Sequence, residues 1–167
     1  MKFLFILLFS FGGTVAFAQE ITFSTLNDAV SYKTYKDFTH YAELWDFVFK
    51  DSSVIQGNLF YNFTKKLTET DSETKQPKNF TCSWSKTKEG KIIYTIGTNS
   101  NDEIKQFIAS ITGLSFAATE TIEYEKGKLA IKYKQAWQIE WELILFGSKV
   151  EGNKMGGPYV VQLTYTK

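Results

Sequence analysis

The chain has 167 residues, of which 17% are aromatic, and 19 basic residues stand against 18 acidic ones. Every basic residue is a lysine. Without arginine there is no bidentate recognition of phosphate or guanine, and a near-neutral surface has no general pull on polyanions. These features argue against nucleic acid as a partner. Cys82 is the only cysteine, so an intramolecular disulfide is impossible, and the aromatics must supply the core.

Met1-Lys2, the apolar run Phe3–Phe11 and the ending Ala16-Phe17-Ala18 have the pattern of a secretory signal peptide. Its apolar stretch is shorter than the roughly 20 residues a membrane span needs. Cleavage is expected before Gln19. No cysteine stands near the cut to carry a lipid. The sequence thus divides into residues 1–18, a leader, and residues 19–167, one soluble domain exported to the periplasm or the cell exterior. No later stretch has the length and apolarity of a span.

In chain order, Ile21–Phe23 reads as a short strand, and Thr25 as the N-cap of a helix over Leu26–Lys33. Phe38, Tyr41, Ala42, Trp45, Val48 and Phe49 fall at spacings of three and four. They predict a second helical stretch over Asp37–Lys50. Leu59, Tyr61 and Phe63 alternate with neighbours in a strand over about Ile55–Leu67, and the polar segment Thr68–Lys78 reads as a mobile loop. Phe80, Cys82 and Trp84 alternate next, with Cys82 expected to be a small buried hydrophobe. For the following turn, a three-residue loop with left-handed Gly90 sets Trp84 opposite Tyr94 and Cys82 opposite Ile96. It is the loop length that keeps the apolar residues on one face.

Ser100 to Glu103 forms a capping box ahead of the stripe Ile104, Phe107, Ile108, Ile111, and Gly113 is expected to stop that helix. Leu114–Tyr124 alternates and turns at Lys126-Gly127 into a long alternating run, Leu129–Leu145. Pairing Glu125 with Lys128 sets Tyr124 by Leu129, Ile122 by Ile131 and Phe116 by Trp137. It also sets Thr121 by Lys132 and Thr119 by Lys134. The run would reach about 55 Å as one strand, so a bend or bulge is expected near Gln135-Ala136. Trp137 and Trp141 should share its buried face. Gly147–Pro158 reads as a loop, and Tyr159–Tyr165 as a last strand. The whole is α+β, one twisted or partly curled antiparallel sheet of about six to eight strands with two or three helices on its apolar face. A closed calyx-like barrel is the alternative. No sequence repeat is evident.

Chemistry-bearing residues are few. His40, the only histidine, lies with Asp37 and Glu43 at helical spacing of three. That spacing makes neighbours able to form a metal site or an oriented general base. Successive steps of three rotate around a helix, which favours an ordinary polar face. Glu140 and Glu142 share a strand face at a separation of about 7 Å, inside the range of inverting glycosidases. Lys132 and Lys134 beside them favour a charged outer surface. Nucleophile-elbow, phosphate-loop and dinucleotide motifs are missing, and no cofactor is implied. Asn62-Phe63-Thr64 and Asn79-Phe80-Thr81 match the glycosylation sequon. The function expected is an exported, non-enzymatic binding or interaction domain whose partner is a protein or a small apolar ligand. The alternatives are a carrier of such a ligand in a curled-sheet cavity, and a small carboxylate-dependent hydrolase.

Overall fold

The computed structural model describes residues 21–124, 127–135, 138–150 and 154–166. The leader and its cleavage point, Glu125 and Lys126, Ala136 and Trp137, and residues 151–153 of the expected Gly147–Pro158 loop lie outside them. Helix α1 (Phe23–Ser31) begins three residues earlier than expected. Thr22, not Thr25, is its N-cap. The Thr22 hydroxyl accepts from the Thr25 backbone at 3.0 Å, while the Thr25 hydroxyl accepts from the Thr22 backbone at 3.0 Å. Ile21 forms no strand. It enters the core directly ahead of the cap, the place of a residue that sets the entry angle of a helix.

Thr34 caps a second, separate helix, α2 (Tyr35–Leu44). It is shorter than the apolar spacing predicted. Asp46, at φ 60°, turns the chain back, and Val48 and Phe49 become the start of strand β1 (Val48–Ile55). Gln56 and Gly57, both at positive φ, form the two-residue turn into β2 (Asn58–Thr70). The expected single strand near 55–67 is therefore the second arm of a hairpin. The polar loop is also shorter than expected, because β2 runs to Thr70 and β3 (Pro77–Lys86) starts at Pro77.

The hairpin of β3 and β4 (Ile92–Thr98) has the expected register, Trp84 opposite Tyr94 and Cys82 opposite Ile96. Gly90 sits at φ 84° in its three-residue turn. Helix α3 (Asn101–Gly113) is capped by Ser100, whose hydroxyl accepts from the Glu103 backbone at 3.3 Å. Gly113 is its last residue, and the left-handed position falls on Ser115, at φ 65°.

The second half departs most from expectation. The long alternating run is not one bent strand. It is β6 (Lys128–Gln135) and β7 (Gln138–Lys149), folded back on each other with Gln135 opposite Gln138 and Ile131 opposite Leu145. The ladder shifts between Tyr133 and Gln135, so Tyr133 faces Leu143 and Ile131 faces Leu145, odd-numbered with odd-numbered, and the alternation reads on as if through a single strand. The register of β5 (Phe116–Tyr124) on β6 is also displaced by one residue. Tyr124 faces Lys128 and Ile122 faces Ala130, after a turn with Gly127 at φ 84°. A bulge at Thr119 then shifts the ladder again, leaving Phe116 opposite Gln135. Most of β5 is exposed, so burial cannot enforce a register there. Strand β8 (Met155–Tyr165) starts earlier than expected and completes the sheet.

All eight strands form one antiparallel sheet in the order β1-β2-β3-β4-β8-β7-β6-β5. The order is mirrored about the β4–β8 seam. Each half ends in a four-strand meander, preceded by two helices (α1 and α2) in the first half and by one (α3) in the second, a likeness of architecture without a repeat of sequence. Phe63, Cys82, Trp84, Tyr94, Leu143, Leu145, Val161 and Leu163 point to one face and join Leu26, Phe38, Phe107 and Ile111 of the helices in one core. Phe38 meets Phe63, Trp84 and Tyr94 at ring distances of 5.4–5.7 Å. Trp141 is only partly buried, packing on Phe23 and Tyr165. Among the described residues no helix covers the opposite face. The fold is α+β, and no described helix is long and apolar enough to cross a membrane.

Candidate functional site

The densest polar cluster lies where the β2–β3 turn meets the start of α3. Asp71 is fully buried, at 0% exposure. Its Oδ1 accepts from the backbones of Glu73 (3.1 Å) and Thr74 (2.8 Å), and its Oδ2 from the Ser100 hydroxyl (2.8 Å) and the Asp102 backbone (3.1 Å). Asp102 returns the contact, accepting from the Ser72 backbone and hydroxyl at 2.7 and 2.6 Å. Burial alone would raise the Asp71 carboxyl's pKa. The bonds from Thr74, Asp102 and Ser100 outweigh it and hold the group well below the usual carboxylate range. A carboxylate at a helix N-terminus also answers that helix's free N–H groups and dipole.

Beside it, Lys78 and Glu103, both nearly buried, pair at 3.2 Å, with Glu69 at 3.6 Å from the same ammonium. Burial would lower the Lys78 pKa, but the two carboxylates raise it. A further chain runs outward. Tyr159 donates to Asn101 at 2.7 Å, Asn101 donates to Glu73 at 2.7 Å, and Lys105 pairs with Glu73. The cavity beside this chain is about 540 Å³ and is also bounded by Met155 and Pro158. Every polar group named is matched by another. The cluster's evident work is to tie the β2–β3 turn, α3 and β8 together.

The residues singled out in the sequence do not gather into one place. Asp37, His40 and Glu43 all lie exposed on α2. Asp37 Oδ2 accepts from the Thr34 hydroxyl at 2.7 Å as part of the helix cap. His40 and Glu43 border a shallow hollow with Tyr35 and Thr39. Glu140 and Glu142 are exposed on β7, one face apart from Trp141. Nearby Lys132 pairs with Glu120 at 3.1 Å. Among the described residues no three of His, Cys, Asp and Glu converge in a metal-binding arrangement. Cys82 is buried, and burial pushes its thiol up to about 12. Asn62 is enclosed by Asp51, Ser53 and Ser83, whereas Asn79 is exposed.

Sequence reasoning missed Asp71, Lys78 and Tyr159. The cap at Ser100 was legible, and so was an aspartate heading a turn. That Asp71 belongs to the same cap, across 29 residues of chain, was not. Against known proteins, no family model matches the chain, and no curated protein or solved structure shows significant similarity to it.

Two surfaces are not consumed by packing. Large exposed apolar side chains concentrate around β1: Leu44, Val48, Phe49, Val54, Ile55 and Leu59, with Val54 at 71% and Val48 at 67% exposure. On the face without helices, Tyr124, Phe146, Pro158 and Val160 line an apolar groove of about 500 Å³.

Proposed function

We propose that the protein is an exported, non-enzymatic binding domain that captures an extended segment of a partner protein along β1. The observation that carries this reading is the concentration of exposed apolar side chains on and around an edge strand. An edge strand presents unpaired backbone groups on its outer side. An added strand would satisfy them and cover Val54, Ile55 and Phe49, the arrangement of β-strand addition. The bulge at Lys50 and the charge it carries discourage indiscriminate stacking of edges. Export rests on the leader pattern of residues 1–18, and mature material should begin within a residue or two of Gln19.

The groove at Tyr124, Phe146, Pro158 and Val160 supports a second reading, a carrier of a small apolar ligand, since its volume falls in the range of about 300–1,000 Å³ usual for ligand sites. One set of variants separates the two. Val54→Lys with Ile55→Lys should abolish capture of the partner from the native compartment, while Val160→Lys should leave capture intact. Loss of capture in Val160→Lys alone, with displacement of a bound fluorescent fatty acid by the same change, would replace the first reading with the second.

A further inference from the structure

A cleft of about 450 Å³ opens at the end of the sheet opposite the Asp71 cluster, below the C-terminus of α1. Its walls include Lys33, Lys86, Glu89, Lys91, Tyr165 and Thr166. The fold brings them together from three distant parts of the chain. Lys86, Ile92 and Tyr165 are successive cross-strand partners on β3, β4 and β8. Lys91 stands on the far leg of the three-residue turn whose Gly90 is left-handed. Lys33 stands just past the Tyr32 C-cap of α1, with its ammonium 5.3 Å from the centre of the Tyr165 ring.

The lysines of this cleft lack the ion pairs that fix several others. Lys78, Lys105, Lys132 and Lys149 each have a carboxylate partner. Among the described residues Lys33, Lys86 and Lys91 have none within ion-pair distance. The one carboxylate in the wall, Glu89, is held below its ordinary range by hydrogen bonds from its own backbone and the Thr87 hydroxyl, with the charges of Lys91 and Lys88 adding to them. Three lysines and one glutamate thus share the wall of the cleft, a net positive charge in a protein whose overall charge is close to neutral.

We propose that this cleft binds a small multivalent oxyanion, held by Lys33, Lys86 and Lys91 with the hydroxyls of Tyr165 and Thr166 as further donors. Lysines act as point charges without the planar fork that reads a single carboxylate bidentately. Such a set selects for charge gathered in a small volume. The site is distinct from β1 and goes beyond the function proposed above.

Titration of the full chain with pyrophosphate and with citrate, followed by amide chemical shifts, tests the proposal and distinguishes phosphate from carboxylate chemistry. Saturable shifts should centre on residues 86–92 and 165–166. They should weaken as ionic strength rises from about 0.01 M to about 0.15 M and the screening length falls from about 30 to about 8 Å. Combining Lys33→Gln, Lys86→Gln and Lys91→Gln should weaken binding at least about tenfold by removing the converging charges. Combining Lys50→Gln, Lys66→Gln and Lys75→Gln makes the same change in net charge elsewhere and should leave affinity within about twofold. Equal losses in the two triple variants, or no saturable binding of either probe at low salt, would overturn the site.

Discussion

The two halves of the sheet are built alike and finished differently. Each is a four-strand meander preceded by helices, α1 and α2 in the first half and α3 in the second, and each has an edge strand, β1 or β5. On β5 the exposed residues are alanines, threonines and glutamates, with Tyr124 at the strand's end. Glu120 is paired with Lys132 at 3.1 Å and Glu123 with Lys149 at 2.8 Å. These are the features that keep an edge from recruiting another strand. On β1, Val48, Phe49, Val54 and Ile55 are all exposed, with Ser52 and Ser53 between them. The same topology thus yields one guarded edge and one open edge. The difference lies wholly in side chains, since both strands leave one side of their backbone unpaired.

If the halves are equivalent in the core, matching losses should follow from matching deletions. Phe38 on α2 and Phe107 on α3 are both fully buried. Changing either to alanine should cost about 3–5 kcal/mol in chemical denaturation. A loss well below that at one of them would show that its half contributes little to the common core.

The joint between the halves should be next in size. Asp71→Asn keeps the shape of the side chain but replaces an acceptor with a donor facing N–H groups. A cost of about 2–3 kcal/mol is expected at neutral pH. The wild-type carboxyl is depressed in the folded state. Its stabilising contribution is therefore full above the unfolded value near 3.9 and is lost progressively as pH falls below it. Denaturation midpoints measured from pH 6 down to about pH 2 should converge for the two proteins. A constant gap would mean that Asp71 is not stabilised as a carboxylate.

The edges themselves should matter least to folding. Val54→Lys on β1 and Lys132→Ala beneath β5 should each change stability by no more than about 0.5 kcal/mol, as solvent-facing substitutions do. Their effects on association should diverge. Lysine on β1 should abolish partner capture, whereas loss of Lys132 frees Glu120 and should leave capture unchanged. A large stability loss from Val54→Lys would show that this side chain belongs to the core.

Local patterns read from the chain were dependable wherever one residue's environment depends on near neighbours. The Ser100 cap, the Ile104–Ile111 stripe and the β3–β4 register were all legible, because periodicity, capping and burial of one face agree there. The helix lengths near Asp46 and Ser31 were not, since a turn at positive φ overrides an apolar spacing that a helix and an edge strand can both satisfy. Reversal between Gln135 and Gln138 left no trace in a pattern with period two. Most of the candidate sites were beyond reach for a different reason. Asp71 with Ser100, and Lys33 with Tyr165, are pairs separated by long stretches of chain. The sequence by itself determined much of the composition of the core, the Ser100 cap and one sharp register. Only the tertiary structure decided which charges were paired, which were left facing a cleft and which edge stayed open. Charge matching and exposure depend on distances across the sheet, and the order of residues along the chain does not encode those distances locally.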